Sequence, residues 1–155
     1  MILATMTQLI LDLAPPPAPC LDNFVPGGNA ELMAVLRRML CGEEKERFIY
    51  LWGEPGCGRT HLLRAMDQGF RETGRTTVFI ACNADTVFDA DAVHCHAAVD
   101  DVERLGPEGQ AGLFNLYNAL REAGGRLLVA GAMPAARLPL REDLVTRLGW
   151  GLVYQ

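Results

Sequence analysis

The chain has 155 residues, of which 50% are hydrophobic and 21% are charged, so we expect one globular domain rather than a disordered segment. Its net charge of −5 gives no general attraction to nucleic acid or to anionic membranes, and we expect no strong direct DNA binding. It has no apolar run of membrane-spanning length, and its five irregularly spaced cysteines indicate reduced thiols in a cytoplasmic protein without a membrane partner.

Residues 1–28 form a distinct N-terminal segment. The prolines at 15–17 and 19 disfavour helix, and Pro26-Gly27-Gly28 is a second break, so we predict an extended arm. Asn29 then suits the N-cap of an amphipathic helix over 30–41. We take 29–155 as the folded domain.

From residue 48 onward, short apolar runs alternate with segments of helical periodicity. Helices are predicted after the first and third strands and near 140–148, and glycines at 74 and 124–125 end the two long ones. This alternation predicts a three-layer α/β sandwich with a mostly parallel, five-stranded sheet. The predicted strands are 48–52, 76–81, 93–99, 127–130 and 152–154.

The segment Gly53-Glu54-Pro55-Gly56-Cys57-Gly58-Arg59-Thr60 follows the first strand and opens the next helix. In this context the pattern predicts a P-loop, whose backbone amides and helix N-terminus converge on phosphate oxygens, although a Gly/Pro-rich turn can match by chance. Thr60 is placed to hold Mg²⁺ through its hydroxyl. Arg59 stands where Lys is usual, and its planar fork is bulkier and less mobile, so we expect binding of ADP or ATP to survive better than fast hydrolysis.

Two carboxylates, Asp100 and Asp101, end the apolar run of the third strand. In P-loop proteins one acid at this place holds Mg²⁺ and a second positions the attacking water. We assign Asp100 to the metal and Asp101 to the water. The alternative is a helix cap or a solvated turn.

The cluster His94-Cys95-His96 raises the question of a zinc site. In a strand the two histidines share one face while Cys95 points to the other, and we find no third ligand. We therefore expect no zinc.

Together these features resemble the AAA+ domain of the DnaA-like family, and within that family the Hda branch of regulatory inactivators. The same residue types recur there in the loop and helix 58–63, in Phe114-Asn115-Leu116-Tyr117-Asn118, and in 143–151. The resemblance covers nearly the whole chain. It implies a P-loop NTPase of AAA+ type, bound adenine nucleotide, and a role in replication initiation. It also implies a helical lid after the fifth strand, which we expect to be missing from this chain.

Within the arm, Gln8-Leu9-Ile10-Leu11-Asp12-Leu13 resembles the clamp-binding peptide of the Hda branch. The resemblance implies that Gln8, Leu9, Leu11 and Leu13 bind the DNA polymerase sliding clamp, as an extended peptide docks in a polar and an apolar pocket. An edge strand or a disordered tail is the alternative, and Asp12 stands where that branch often has Pro.

The resemblance assigns roles to further positions. Arg147 matches the arginine finger, which reaches a neighbouring subunit's nucleotide; the alternative is a surface arginine at a helix C-terminus. Phe24 and Val25 match a segment that encloses adenine, although a staple onto the first helix is an equal alternative. The residues expected to contact nucleotide are Phe24, Val25, Gly53, Pro55, Gly56, Cys57, Gly58, Arg59, Thr60 and His61.

The stretch 130–134 offers no polar side chain where AAA+ proteins usually sense the γ-phosphate, so we expect weak intrinsic hydrolysis. The expected function is therefore a clamp-bound, nucleotide-dependent regulator that promotes ATP hydrolysis in DnaA through Arg147, with homo-oligomers left open. The alternative is a self-sufficient AAA+ ATPase, such as an initiator fragment or a helicase loader. A small-molecule kinase would need an acceptor site and lid arginines, and we find neither.

Overall fold

The computed structural model describes residues 17–89 and 95–155. Four α-helices and five β-strands follow one another in the described chain, with 3₁₀ turns at Leu21–Asn23, Val102–Arg104 and Ala135–Arg137. The helices are α1 (Ala30–Cys41), α2 (Arg59–Glu72), α3 (Pro107–Ala123) and α4 (Glu142–Leu148). The strands are β1 (Phe48–Trp52), β2 (Thr77–Ala81), β3 (His96–Asp100), β4 (Arg126–Gly131) and β5 (Leu152–Tyr154).

The five strands form one sheet in the order β2-β3-β4-β1-β5, and every neighbouring pair is parallel. The predicted three-layer sandwich with a parallel sheet is thereby confirmed. Because all strands run in one direction, the carboxyl ends of β1, β3 and β4 lie at the same edge of the sheet. Ligand sites of open α/β sheets form at this edge.

Successive side chains of a buried strand point to opposite faces of the sheet, and each face has its own hydrophobic core. On β1, Ile49 and Leu51 pack with α1 and α2, whereas Tyr50 packs with α3 and α4. Strands buried on both sides need apolar residues at every position, which is why the strands read as continuous apolar runs. Each helix contributes one fully buried side chain or more to these cores, including Leu36, Leu63, Leu113 and Leu144.

The structure also differs from the sequence prediction in several details. Leu21–Asn23 form a 3₁₀ turn, and Leu21 is buried against α2, so the segment before Asn29 is not extended throughout. Asn29 occupies the N-cap of α1, but its side chain makes no capping hydrogen bond. β3 begins at His96 rather than at 93; residues 93 and 94 lie outside the described chain.

None of the described helices combines the length and the apolar character that crossing a bilayer requires. All five cysteines are free thiols, and Cys82 is the buried one.

Candidate functional site

The loop between β1 and α2 has backbone conformations that require glycine. Gly56 and Gly58 have φ of 85° and 97°, the left-handed region that side chains disfavour. A Cβ on Gly58 would also lie 2.5 Å from Cε2 of Phe24. The loop can therefore follow this path only with glycine at these positions, which explains two of the glycines in the motif.

Helix α2 begins at Arg59 and presents its first-turn amides at the carboxyl edge of the sheet. Its first turn contains no acidic side chain, and Gly58 at the N-cap has no side chain to accept a hydrogen bond. The first amides of a helix lack intrahelical acceptors, and the helix dipole favours an anion beside them. The loop and α2 thus form an anion site of the kind that P-loops use for phosphate.

Thr60 and Asp100 meet at this anion site. The Thr60 hydroxyl donates to Oδ2 of Asp100 at 2.5 Å, although β4 separates β1 from β3 in the sheet. Asp100 follows the strand alternation of Ala98, whose side chain packs against the α2 layer, so its carboxylate also points toward α2. The pair supplies one hydroxyl and one carboxylate oxygen, the hard donors that Mg²⁺ prefers.

Asp101 points away from this pair. Its backbone lies in the left-handed region, with φ of 53°, and its carboxylate is 3.6 Å from Nη1 of Arg104. The backbone amide of Asp101 donates to Oδ1 of Asp100 at 3.0 Å, which helps to hold the Asp100 carboxylate in place. The structure therefore brings Thr60 and Asp100 together and leaves Asp101 at the margin of the site.

Arg59 lines a narrow cavity beside the loop. The cavity has a volume of about 40 Å³ and lies between the segment around Phe24, the carboxyl end of β1 and β5. Nη1 of Arg59 is buried there without a hydrogen-bond partner among the described residues. A buried donor of a charged group is costly when unpaired, and an anion would satisfy it. Because ligand pockets commonly exceed about 300 Å³, an adenine ring would fit in this cavity only if it widened.

Phe24 and His61 join the N-terminal segment to α2. The His61 Nε2 atom is 3.0 Å from the carbonyl oxygen of Cys20, and its ring centroid is 5.7 Å from that of Phe24. Phe24 lines the cavity near Arg59, whereas the Val25 side chain is 87% exposed. Of the two residues predicted to enclose adenine, only Phe24 therefore lies against the loop.

The residues just after β4 have no polar side chain, but their backbone contacts the carboxylate of Glu103. Oε2 of Glu103 accepts from the amide of Ala132 at 3.2 Å, and the Tyr50 hydroxyl donates to the carbonyl of Met133 at 2.6 Å. Burial and then Glu103 raise the pKa of Tyr50, so this hydroxyl stays protonated. A γ-phosphate sensor must donate a hydrogen bond, and Glu103 can only accept when ionised.

Arg147 lies in a cage of aromatic rings. Its guanidinium carbon is 4.4 Å from the ring centroid of Phe114 and 5.3 Å from those of Tyr117 and Trp150. Its Nε is buried without a hydrogen-bond partner among the described residues. With Phe48 and Tyr50 it lines a small cavity beside the amino-terminal half of β1, whereas the phosphate loop follows the carboxyl end of that strand. Arg147 therefore belongs to a different surface from the chain's own nucleotide loop.

The sequence did not single out Glu103, Tyr50 or Phe114 for these positions. For Glu103, its position three residues after Asp100 was a signal in the sequence. The contact of Phe114 with Arg147 could not be predicted, because it joins two helices that are distant in sequence. The predicted clamp-binding residues 8–13 lie outside the described chain. Near β3, His96 is buried and contacts Arg75 and the backbone of Arg126.

The strand order, the phosphate loop and the Thr60–Asp100 pair give the chain the fold of AAA+ P-loop NTPase domains, similar to that of DnaA. AMPPCP-bound DnaA from Aquifex aeolicus aligns with a TM-score of 0.76 and 24% identity, over 88% of this chain and 49% of that one. The Thermotoga maritima RuvB branch-migration motor aligns with a TM-score of 0.59 and 18% identity, over 88% and 46%. The chain thus spans about half the length of these proteins.

A solution structure of protein NMB1076 from Neisseria meningitidis is similar over its full length. It is 36% identical, with a TM-score of 0.61, and the match covers 100% of this chain and 98% of that one. The chain belongs to the same family as this Neisseria protein. No family model matches it.

Proposed function

We propose that the chain is a nucleotide-binding regulator of replication initiation of the Hda kind, which promotes ATP hydrolysis in DnaA. The observation that carries this proposal is the position of Arg147 in a surface cage, away from the chain's own phosphate loop. An arginine that does not reach its own nucleotide can act on the nucleotide of a second protein.

The nucleotide, ADP or ATP, binds at the loop 53–60. Its phosphates lie against the amides of α2 and satisfy the unpaired Nη1 of Arg59. Thr60 and Asp100 hold Mg²⁺, which neutralises phosphate charge when bound. Two DnaA structures with a similar fold hold AMPPCP, which supports a bound adenine nucleotide here. The base lies beside Phe24 once the cavity opens.

Intrinsic hydrolysis is weak in this proposal. A water-positioning carboxylate must point at the phosphate, but Asp101 faces Arg104. Glu103, which accepts from the Ala132 amide just after β4, carries the same sign of charge as a γ-phosphate. The nucleotide therefore acts as a structural and regulatory ligand.

Arg147 acts in trans on ATP-bound DnaA, in an assembly that also allows contacts between copies of this chain. An arginine supplied in trans accelerates phosphoryl transfer by roughly 10³–10⁵-fold in known cases. Gln8, Leu9, Leu11 and Leu13 tether the protein to the sliding clamp and so raise its local concentration near replicated DNA. The cage of Phe114 and Trp150 restricts the rotamers of Arg147 before it reaches the partner.

The test is ATP hydrolysis by DnaA in the presence of DNA-loaded clamp and this protein at full length. We expect stimulation by the wild type, loss of it with Arg147→Ala, and retention with Arg137→Ala, an exposed arginine on the turn after β4. Gln8→Ala should abolish the part of the stimulation that depends on the clamp. Equal stimulation by the Arg147→Ala and Arg137→Ala variants would refute the role of Arg147.

The alternative function is a self-sufficient AAA+ ATPase, which the intact Thr60–Asp100 pair favours. This function predicts steady-state turnover by the chain alone that is lost with Asp100→Asn and kept with Arg147→Ala. Our proposal predicts negligible turnover without DnaA. A single ATPase assay of the three proteins separates the two functions.

A further inference from the structure

A second cationic cleft lies at the amino edge of the sheet, opposite the nucleotide loop. It is an open cleft of about 490 Å³ and lies where α1 and α3 end and where β1 and β4 begin. The two edges are separated by about 16 Å, the length of a five-residue strand. The cleft is lined by Gly42, Glu43, Glu44, Lys45, Arg47, Arg75, Gly124 and Arg126.

Four cationic side chains line this cleft in a chain with a net charge of −5. No carboxylate of the described residues lies within salt-bridge distance of Lys45, Arg47, Arg75 or Arg126. The lining also holds two carboxylates, and that of Glu44 is paired with Arg38 at 2.8 Å. The four cations therefore outnumber the carboxylates of the cleft, which is unusual for an acidic protein.

Arg126 forms the buried part of the cleft. The residue is only 9% exposed, and its Nε has no hydrogen-bond partner among the described residues. Its Nη2 reaches the Glu44 carbonyl only at 3.4 Å. Burial, then the neighbouring Arg75 and Arg47, lower the pKa of Arg126 against the opposing effect of Glu44, as expected for like charges held close together.

The helix ends explain only part of this arrangement. The C-termini of α1 and α3 border the cleft, and their dipoles attract cations. They do not supply an acceptor for the Nε of Arg126. Arginine forks bind oxyanions in a bidentate manner, and an oxyanion between these guanidinium groups would offset the repulsion among them.

We propose that this cleft binds a small phosphate-bearing ligand, with a phosphate or diphosphate group held between Arg47, Arg75 and Arg126. The concave shape and the acidic rim of Glu43 and Glu44 favour a small ligand over a nucleic-acid backbone, which needs a broad positive surface. The site is independent of the nucleotide loop, because the two lie at opposite edges of the sheet.

The test is a titration of the ¹⁵N-labelled full-length protein with inorganic pyrophosphate, followed by amide NMR shifts. Residue-resolved shifts separate the cleft, reported by Gly124 and Arg126, from the loop, reported by Gly56 and Gly58. We expect saturable shifts at the cleft that persist when Arg59→Gln weakens binding at the loop. Shifts confined to the loop, or cleft shifts that do not saturate, would overturn the proposal.

Charge-removing variants identify the groups that bind. Arg47→Gln and Arg75→Gln should each weaken the cleft affinity about tenfold, the effect of losing one charged hydrogen bond. Arg137→Gln removes the same charge outside the cleft and should leave the affinity unchanged. Equal affinities in all three variants would contradict the proposal, as would tighter binding of a single-stranded oligonucleotide than of pyrophosphate. The substituted arginines 47 and 75 are more exposed than Arg126, so the test does not depend on altering the buried residue.

Discussion

His96 should make the stability of this domain fall steeply in mild acid. The residue begins β3, is 3% exposed, and its ring centroid lies 4.1 Å from that of Phe70. Its Nδ1 is 3.2 Å from the backbone nitrogen of Arg126, and its Nε2 is 3.3 Å from Nη1 of Arg75. Burial, then Arg75 and Arg126, lower the pKa of His96 to about 4. Protonation would replace a ring acceptor with a donor facing donors.

The sign and size of the effect follow from linkage. An unfolded histidine has a pKa of about 6.5, so between pH 6.5 and pH 4 the unfolded chain binds a proton that the folded chain does not. The free energy of unfolding is therefore fully retained above pH 6.5, declines as the pH falls through this window, and levels off below pH 4. Integration from pH 7 to pH 5 gives a loss of about 2 kcal/mol from this residue.

Urea denaturation at pH 7 and pH 5 measures this loss. The wild type should lose about 2 kcal/mol more than His96→Gln, because the other titrating groups contribute equally to both proteins. His61→Gln, at a partly exposed histidine, serves as the matched control and should lose stability as the wild type does. Equal losses in the wild type and His96→Gln would refute the argument that His96 is held neutral by burial and two cations.

Three further predictions concern the loop and the core. Gly58→Ala should destabilise the domain by about 1–3 kcal/mol in urea denaturation, because it adds left-handed strain and a clash with Phe24. The control Gly27→Ala, with φ of 52° and open space around the position, adds strain alone and should destabilise less. An equal loss of stability in the two variants would contradict the clash. Thr60→Val should abolish the gain in ADP affinity that Mg²⁺ gives in calorimetry, and an unchanged gain would remove Thr60 from the metal site. Leu144→Ala, at a fully buried position of α4, should cost about 2–5 kcal/mol in urea denaturation, and a cost under about 1 kcal/mol would contradict the packing of α4.

The elements of this fold were predictable because their signals are local. Helical spacing defined 30–41, and the apolar run 48–52 was strand in both prediction and structure. The phosphate loop could be recognised since its glycines lie between a strand and a helix. The order of the strands, with β4 between β1 and β3, rests on contacts between distant segments, and the alternation of elements predicted only a parallel sheet with covered faces.

The roles of neighbouring side chains were harder to assign. Asp100 and Asp101 are adjacent acids, and the left-handed backbone at Asp101, which turns its carboxylate toward Arg104, leaves no signal in residue type. Residue type likewise gives no sign that the guanidinium of Arg59 lines the cavity beside Phe24. The cleft around Arg126 was missed because its cations come from segments that are far apart in the sequence.

The central claim is that the loop 53–60 holds an adenine nucleotide through Arg59 and the amides of α2. Equilibrium binding of ADP with Mg²⁺ to the full-length protein tests this claim most directly, with Arg59→Ala and the exposed Arg137→Ala as a matched pair. The account predicts saturable one-site binding that Arg59→Ala weakens at least about tenfold and Arg137→Ala leaves unchanged. Absence of saturable binding by the wild type, or equal affinity in both variants, would contradict it.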